Sequence, residues 1–207
     1  MLPIFSAATE FIFRRLSAIF RKELSIMEFT EKRIDRKTVF EGKIINVYND
    51  TVVLPDGKTT HRELVEHHGG VCVAALTDNG GLLFVRQFRY PYGRVLLELP
   101  AGKLEKGEDP LSAGVRELEE ECGVTAEKVI PMGEVYPTVA YCSEIIHLYF
   151  ARGLKKTKQH LDEGEFLSVE EIPLKKAVEL VMDGTITDSK TVALVLKTEK
   201  LLSEGKI

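Results

Sequence analysis

The amino-acid sequence predicts an α+β sandwich with a mixed β-sheet. Strand-like segments lie on both sides of one well-delimited helix, and two helical segments follow near the end of the chain. No internal repeat or low-complexity linker interrupts the pattern. With 207 residues, the chain suits one domain with a sizeable core and room for a short appendage.

The strand predictions come from runs of apolar and β-branched residues bounded by turn residues. Residues 44–54 and 59–66 flank Pro55-Asp56-Gly57 and predict one hairpin, and residues 71–77 and 82–88 flank Asp78-Asn79-Gly80-Gly81 and predict a second. Further strands are expected at residues 95–99, 128–136, 145–151 and 165–169. Helical periodicity predicts helices at residues 174–182 and 189–202.

The central helix is predicted over residues 110–122 from its end signals. Asp109 can cap free amides, Pro110 suits the first helical position, and Gly123 can end the helix in a left-handed conformation. At about 100° per residue, one stripe is expected to face the core, and it consists of Leu111, Val115, Leu118 and Cys122.

Three glutamates occupy the opposite side of this helix. Glu117, Glu120 and Glu121 stand at i, i+3 and i+4, and on an exposed helix such carboxylates repel by about 0.2–0.5 kcal/mol per pair. A cation that offsets this repulsion would be Mg²⁺ or Mn²⁺ rather than Zn²⁺, because no His or Cys accompanies the oxygens. Since Mg²⁺ sites commonly share the metal with phosphates, the implied substrate is a phosphate ester or anhydride. A solvated acidic face is the alternative for the glutamate spacing alone.

The residues around this helix carry a longer pattern, G-x5-E-x7-R-E-U-x-E-E-x-G-U, where U is aliphatic. It is met by Gly102, Glu108, Arg116, Glu117, Leu118, Glu120, Glu121, Gly123 and Val124. The segment resembles the Nudix box without departure. Residues from about 41 to 202 also resemble the ADP-ribose pyrophosphatase branch of that family, through residues 85–91, 97–102 and 163–166. The resemblance implies an α/β/α sandwich with a strand–loop–helix catalytic motif.

The resemblance also implies roles for individual residues. Metal ligands would be the Ala101 carbonyl with Glu117, Glu120 and Glu121, and Arg116 and Glu120 are candidates for catalysis. The substrate-binding candidates are Arg89, which would contact phosphates, and Arg62, Glu98 and Glu144. The general base is expected on an acidic loop, at Glu165 or, as the second choice, Glu163. The plainer alternatives are a surface ion pair for Arg89, a strand end for Glu98 and an exposed acidic turn for the loop.

The activity implied by the resemblance is Mg²⁺-dependent hydrolysis of a nucleoside diphosphate derivative. ADP-ribose, giving AMP and ribose 5-phosphate, is the first choice, and a nucleotide sugar or a dinucleotide is the alternative. A non-catalytic metabolite sensor is less consistent with the complete set of glutamates. One departure bears on substrate choice, because Val139 stands where the branch usually carries a proline.

Composition and charge bear on the binding partners and the location of the protein. A net charge of −4 and a pI near 5.8 disfavour a nucleic-acid surface. Three separate cysteines suggest reduced core residues and a cytoplasmic protein. Residues 1–26 are expected to form a separate extension with an amphipathic pattern, too short and too charged to span a membrane. The alternatives for it are a membrane-surface anchor, an organelle-targeting segment, or a stretch that precedes a true start at Met27. The main domain is expected over residues 27–207. The family resemblance further implies a homodimer with strands of residues 28–66 in its interface.

Overall fold

A computed structural model describes residues 29–207, so the predicted helix of the N-terminal extension lies outside the described residues. Contacts divide the chain into two compact units, one with residues 29–37 and 49–62, the other with residues 38–48 and 63–207. The strands are β1 (Lys32–Glu41), β2 (Ile45–Val53), β3 (Thr59–His67), β4 (Gly70–Ala75), β5 (Gly81–Arg89), β6 (Arg94–Glu98), β7 (Ala101–Lys103), β8 (Val124–Val135), β9 (Ile146–Lys156) and β10 (Leu167–Pro173). The helices in this part of the chain are α1 (Pro110–Cys122), α2 (Leu174–Met182) and α3 (Ser189–Ser203).

The N-terminal strands form a three-stranded sheet in the order β1-β2-β3. The hairpin predicted from residues 44–66 is confirmed as β2 and β3. Strand β1 was not delimited from the sequence, because its residues are mostly charged and exposed and show little apolar alternation. Arg36 and Asp50 join β1 to β2 through two hydrogen bonds of 2.7 Å.

The central sheet has the order β7-β4-β9-β8 and is mixed, as predicted. Strand β4 runs parallel to β9, and the other neighbours are antiparallel. All six residues of β4 are buried, because Val71 and Val73 belong to a core shared with α1, while Cys72 and Ala74 belong to a second core that includes residues of α2 and α3. Helices on both sides of this sheet confirm the α/β/α sandwich.

The predicted second hairpin is limited to its turn, where Leu76 and Leu82 form one antiparallel bridge. Strands β4 and β5 follow one another in the chain, but β5 lies in a separate sheet of order β10-β5-β6. The segment Val71–Ala75 is continuously apolar, a pattern typical of a strand covered on both faces rather than of a two-stranded hairpin. Its turn residues therefore connect two sheets.

Helix α1 has the predicted bounds. The Asp109 side chain accepts a hydrogen bond of 2.9 Å from the Ser112 amide, and Gly123 has a φ of 61°, with its amide donating to the Glu119 carbonyl. These contacts satisfy both helix ends. The cap residues therefore predicted the helix correctly at both ends.

The predicted core face of α1 is partly wrong. Leu111 and Val115 are 41% and 37% exposed, and the buried residues are Ala113, Gly114, Leu118 and Glu121. A Cβ atom at Gly114 would lie 3.1 Å from the Tyr149 ring. The helix approaches the sheet closely at Gly114, which favours small residues at that point. The buried face includes Glu121, which the prediction placed on the outer side.

The C-terminal predictions are confirmed, with boundary changes. Helices α2 and α3 match the predicted segments within one residue at each end. Strand β10 begins two residues later than predicted, so Glu165 lies in the loop before it. All three cysteines are free, and Cys72 is fully buried while the other two are partly buried. Among residues 29–207, no helix has the length and apolarity that crossing a membrane requires.

Candidate active site

A cleft of about 610 Å³ collects five of the eleven predicted site residues. Its lining includes Arg89 at the end of β5, Ala101 on β7, Glu117 on α1, Glu144 before β9 and Glu165 before β10. These residues are spread over 77 positions of the chain, from 89 to 165, and five different segments deliver them. The cleft is therefore the candidate active site.

Arg116 organises the carboxylates at one side of this cleft. Its guanidinium donates hydrogen bonds of 2.9 and 3.1 Å to the two oxygens of Glu108, and further bonds of 2.9 Å to Glu117 and 2.7 Å to Glu120. Hydrogen bonding to Glu108 raises the pKa of Arg116, so the group stays charged. One cation thus offsets much of the repulsion among the glutamates of α1.

Glu117 lies against the backbone of the β7 turn. A side chain at Gly102 would overlap the Glu117 carboxylate, so the glycine leaves the space in which that carboxylate sits. Burial raises the pKa of Glu117 to about 7, with the charges of Glu120 and Glu165 acting in the same direction against Arg116. Position 102 is therefore glycine for a steric reason, which is the space that the Glu117 carboxylate occupies.

Glu121 is 1% exposed, and its carboxylate accepts a hydrogen bond of 2.9 Å from the Ala101 amide. Burial raises its pKa to about 8, opposed by that hydrogen bond and reinforced by the charges of Glu117 and Glu165. The three glutamates consequently differ in their surroundings. Glu121 lies in the interior, Glu117 lines the cleft, and Glu120 lines an adjacent cleft beside Val115 and His160.

Arg89 forms an ion pair with the buried Glu98 and not the surface ion pair of the plainer alternative. Its Nε and Nη2 atoms donate hydrogen bonds of 2.6 and 2.7 Å to the two carboxylate oxygens of Glu98, which is 1% exposed. Burial disfavours the charged form of Glu98, but the bonds from Arg89 and the charge of Lys190 lower its pKa overall. Glu98 therefore lies behind Arg89 and holds it, and the Arg89 guanidinium lines the cleft.

The acidic loop separates its two candidate bases. Glu165 is half-buried, lines the cleft and accepts a hydrogen bond of 2.9 Å from Gln87. Glu163 is exposed and is not among the residues that line the cleft, whereas Asp162 is. Gly164 has a φ of 82°, a conformation that favours glycine, and it reverses the chain between the two glutamates.

Two predicted substrate contacts have different surroundings. Glu144 lines the cleft with an oxygen 3.6 Å from His67 Nδ1, and since that nitrogen accepts a hydrogen bond of 3.0 Å from the Gly69 amide, it does not donate to Glu144. Arg62 is exposed on β3 and donates hydrogen bonds of 2.9 and 2.6 Å to Glu31, which leaves its role in substrate binding a prediction.

The loop with the atypical Val139 borders the cleft. Pro137 and Thr138 line it, whereas the Val139 side chain is 83% exposed. The Cys142 amide donates a hydrogen bond to the Thr138 carbonyl and closes the loop. A change at Val139 would therefore act on the cleft through the backbone of the two residues that precede it.

The residues that line the cleft and were not predicted as site residues include Gln87, Asp162, Asp188 and Lys190. Gln87 lies within the motif of residues 85–91, and Asp162 directly precedes the motif of residues 163–166. Asp188 was detectable as a cap residue, because it precedes the predicted helix and accepts hydrogen bonds from Thr191. Lys190 has no local signal, since a lysine in the first turn of a helix is ordinarily a surface residue.

The donor set suits a divalent cation of the Mg²⁺ type. In the described part of the chain, no three His, Cys, Asp or Glu side chains already stand together at metal-binding spacing, because Arg116 holds Glu117 and Glu120 while Ala101 holds Glu121. All the available donors are oxygens, and burial makes two of them difficult to ionise without a cation. The residues therefore fit the predicted metal.

Comparison with known proteins agrees with this arrangement. Residues 66–195 match the NUDIX domain, and residues 31–65 match the nucleoside diphosphate sugar hydrolase N-terminal domain. An ADP-ribose pyrophosphatase of Bacillus subtilis is 44% identical over 163 residues, covering 78% of this chain and 88% of that protein. A methanol dehydrogenase activator of Bacillus methanolicus is 41% identical over 169 residues, covering 81% of this chain and 91% of that protein.

A solved structure supports the fold. The crystal structure of an ADP compounds hydrolase aligns with a TM-score of 0.75 at 21% sequence identity, covering 86% of this chain and 97% of that one. At this identity the likeness shows the fold alone, and the sequence matches show the family. With an unbroken box on α1 and a family match over more than half of its length, this chain belongs to the Nudix hydrolase family.

Proposed function

We propose that this enzyme hydrolyses ADP-ribose to AMP and ribose 5-phosphate in the presence of Mg²⁺. The observation that carries the proposal is the meeting of Arg89, Glu117 and Glu165 in one cleft, at the end of a helix whose glutamates suit a divalent cation. The similarity to an ADP-ribose pyrophosphatase over most of both chains supports this choice of substrate.

The metal would be held by the Ala101 carbonyl with Glu117, Glu120 and Glu121. When bound, it would supply Lewis-acid stabilisation of phosphate charge and would lower the pKa of a bound water. Arg116 would keep Glu117 and Glu120 on one side of the helix, since it bonds to both. Glu108 would in turn hold Arg116.

Arg89 would bind the diphosphate. Its Nε and Nη2 atoms are engaged with Glu98, which leaves Nη1 for a phosphate oxygen in the cleft. A guanidinium oriented by a buried carboxylate loses little freedom on binding, so the contact is pre-organised.

Glu165 would act as general base. The Gln87 amide holds its carboxylate at the cleft, as a base within reach of an attacking water requires. A new bond would form between the water oxygen and one phosphorus, the proton would pass to Glu165, and the bond from that phosphorus to the bridging oxygen would break. The leaving phosphate would carry away the electron pair of that bond.

A nucleotide sugar is the second candidate substrate class. The match of residues 31–65 to a nucleoside diphosphate sugar hydrolase domain favours it. Val139 also favours it, because valine fixes the backbone less than proline would and leaves the cleft border more adaptable.

We also propose that the chain forms a homodimer through its N-terminal strands. Large apolar side chains on β1 are exposed, including Ile34, Val39 and Phe40, and Phe29 precedes them. Exposed apolar groups of this size on one strand are typical of an interaction surface. Sedimentation analysis of the purified chain tests the proposal, and a monomer at assay concentration would contradict it.

The test of substrate is a comparison of kcat/KM for ADP-ribose, ADP-glucose, UDP-glucose and NADH at saturating Mg²⁺, with products identified by mass spectrometry. ADP-ribose is expected to lead, with measurable turnover of ADP-glucose. If a non-adenine substrate leads by about tenfold or more, equivalent to about 1.4 kcal/mol of transition-state stabilisation, ADP-ribose is the wrong substrate. Binding of ADP-ribose with no turnover of any substrate would instead indicate a sensor.

A further inference from the structure

Lys190 is a buried cation at the wall of the cleft. It lies in the first turn of α3, directly after the capping segment, and its side chain is 12% exposed. Its Nζ atom is 2.5 Å from Glu98 Oε2 and 3.0 Å from Asp188 Oδ1. Burial opposes its protonation, but Asp188 and Glu98 outweigh that effect and raise the pKa of the ammonium group.

Glu98 is shared between Lys190 and the phosphate-binding candidate Arg89. One carboxylate oxygen accepts from Arg89 Nε, and the other accepts from both Arg89 Nη2 and Lys190 Nζ. A buried carboxylate needs this degree of pairing, because an unpaired buried charge is strongly unfavourable. The position of Arg89 therefore depends on a carboxylate that Lys190 also holds.

Hydrogen bonds connect the start of α3 to the end of β6, so the backbone position of Lys190 is fixed. Asp188 accepts hydrogen bonds from the Thr191 amide at 3.0 Å and from the Thr191 hydroxyl at 2.6 Å. The same hydroxyl oxygen accepts from the Leu99 amide at 2.9 Å, one residue beyond Glu98. The Leu99–Thr191 bond and the Lys190–Glu98 bond thus join the helix start to the segment that carries the shared carboxylate.

Lys190 also changes the charge that Arg89 presents. A carboxylate bonded to a single arginine would neutralise it, whereas Glu98 divides its charge between two cations. The charge of Asp188 is offset in part by the helix amide that it caps. The Arg89 guanidinium consequently keeps more attraction for a diphosphate than it would in an isolated pair.

We propose that Lys190 is a positioning residue that acts through Glu98 to hold Arg89 for the diphosphate of the substrate. The proposal rests on the proposed function, because it takes Arg89 as the diphosphate contact. Lys190 should therefore matter for substrate affinity more than for turnover, and it should matter only while Arg89 is present.

Two measurements test this role. The Kd of ADP-ribose is measured by calorimetry in metal-free buffer, where no turnover is expected, and kcat and KM are measured with Mg²⁺. Lys190→Met should raise Kd and KM by about tenfold and change kcat by less than about threefold, whereas Lys190→Arg, which keeps the charge, should stay within about threefold of the wild type. Thermal unfolding of each variant gives the folded fraction.

The double variant Arg89→Ala/Lys190→Met separates positioning from an independent contact. If Lys190 acts through Arg89, the double variant should bind no more weakly than Arg89→Ala alone. An additional tenfold loss in the double variant, or an unchanged Kd in Lys190→Met, would overturn the proposal.

A second variant covers the case in which Lys190→Met does not fold. Asp188→Asn keeps a capping side chain and removes the charge that holds Lys190, so it should weaken ADP-ribose binding by about threefold in the wild type and not in Arg89→Ala. An unchanged Kd in Asp188→Asn would refute the role of Lys190. Wild-type protein that binds ADP-ribose without hydrolysing it would refute the proposed activity and leave this binding test intact.

Discussion

Replacing Glu121 by glutamine should stabilise the metal-free protein at neutral and alkaline pH. Glu121 is buried, and its folded pKa is about 8 against an ordinary value of 4.5. An acid with a raised folded pKa contributes its full stability below its unfolded pKa and loses it as the pH rises through the folded value. Glutamine resembles the protonated acid and keeps an oxygen for the Ala101 amide, so it escapes this loss.

The magnitude follows from the same values. One pKa unit corresponds to about 1.4 kcal/mol, so keeping Glu121 neutral at pH 7 is equivalent to about 3 kcal/mol of unfolding free energy. We expect the difference between Glu121→Gln and wild type to grow in favour of the variant by about 2 kcal/mol from pH 5 to pH 7. Urea unfolding in the presence of a chelator measures it at each pH.

Glu119→Gln is the matched control, because Glu119 lies on the same helix and its carboxylate forms no hydrogen bond or ion pair with residues 29–207. It should show little change between the two pH values. Added Mg²⁺ should stabilise the wild type and not Glu121→Gln, since a ligand stabilises the state that binds it. Equal destabilisation of Glu121→Gln at every pH would show that the ionised carboxylate is structural, and the reasoning would be wrong.

Four further outcomes are expected. Glu165→Gln should lower kcat by about 10²- to 10⁴-fold at saturating Mg²⁺ with a smaller change in KM, while the exposed Glu163→Gln should stay near wild type; full activity of Glu165→Gln would exclude it as the base. Arg116→Lys should lower the urea-unfolding free energy by about 1–3 kcal/mol, because one ammonium nitrogen with three donors cannot reproduce the four hydrogen bonds that three guanidinium nitrogens donate to the carboxylates, and an unchanged midpoint would contradict the cluster. A chain that begins at Met27 should remain active and dimeric by sedimentation; loss of either property would show that residues 1–26 are structural. Val139→Pro should increase the ratio of kcat/KM for ADP-ribose over ADP-glucose, and an unchanged ratio would separate this position from substrate choice.

Local chemistry predicted most of the elements that carry the site. Asp109, Pro110 and Gly123 determine the ends of α1 through contacts within a few residues, so they could be read without knowledge of the fold. The ranges of α2 and α3 followed from helical periodicity, which also depends only on nearby residues. Strand β7 has only three residues and directly follows Pro100, so its pattern is too short to detect.

Two features of the site depend on packing between distant segments, which the sequence pattern does not show. Hydrophobicity places Leu111 and Val115 inside, but the approach of α1 to the sheet is limited by Gly114 against Tyr149, and the larger residues lie outside as a result. Lys190 was missed for a related reason. It meets Glu98 across 92 positions of sequence, and a pairing over that distance follows only from the docking of α3 on the sheet.

The burial of Glu121 changes how the acidic helix should be understood. On an exposed face, three glutamates would lose only a few tenths of a kcal/mol per pair to repulsion, and a solvated helix could tolerate that. Inside the protein, burial raises the pKa of Glu117 and of Glu121 well above the ordinary value, and the charges of neighbouring glutamates add to the shift. Arg116 offsets the repulsion where it reaches, at Glu117 and Glu120, and it donates no hydrogen bond to Glu121. Glu121 is a buried carboxylate on which the charge of Arg89 acts too weakly to restore an ordinary pKa. A divalent ion bound beside it would stabilise its ionised form, so the raised pKa supports the proposed metal.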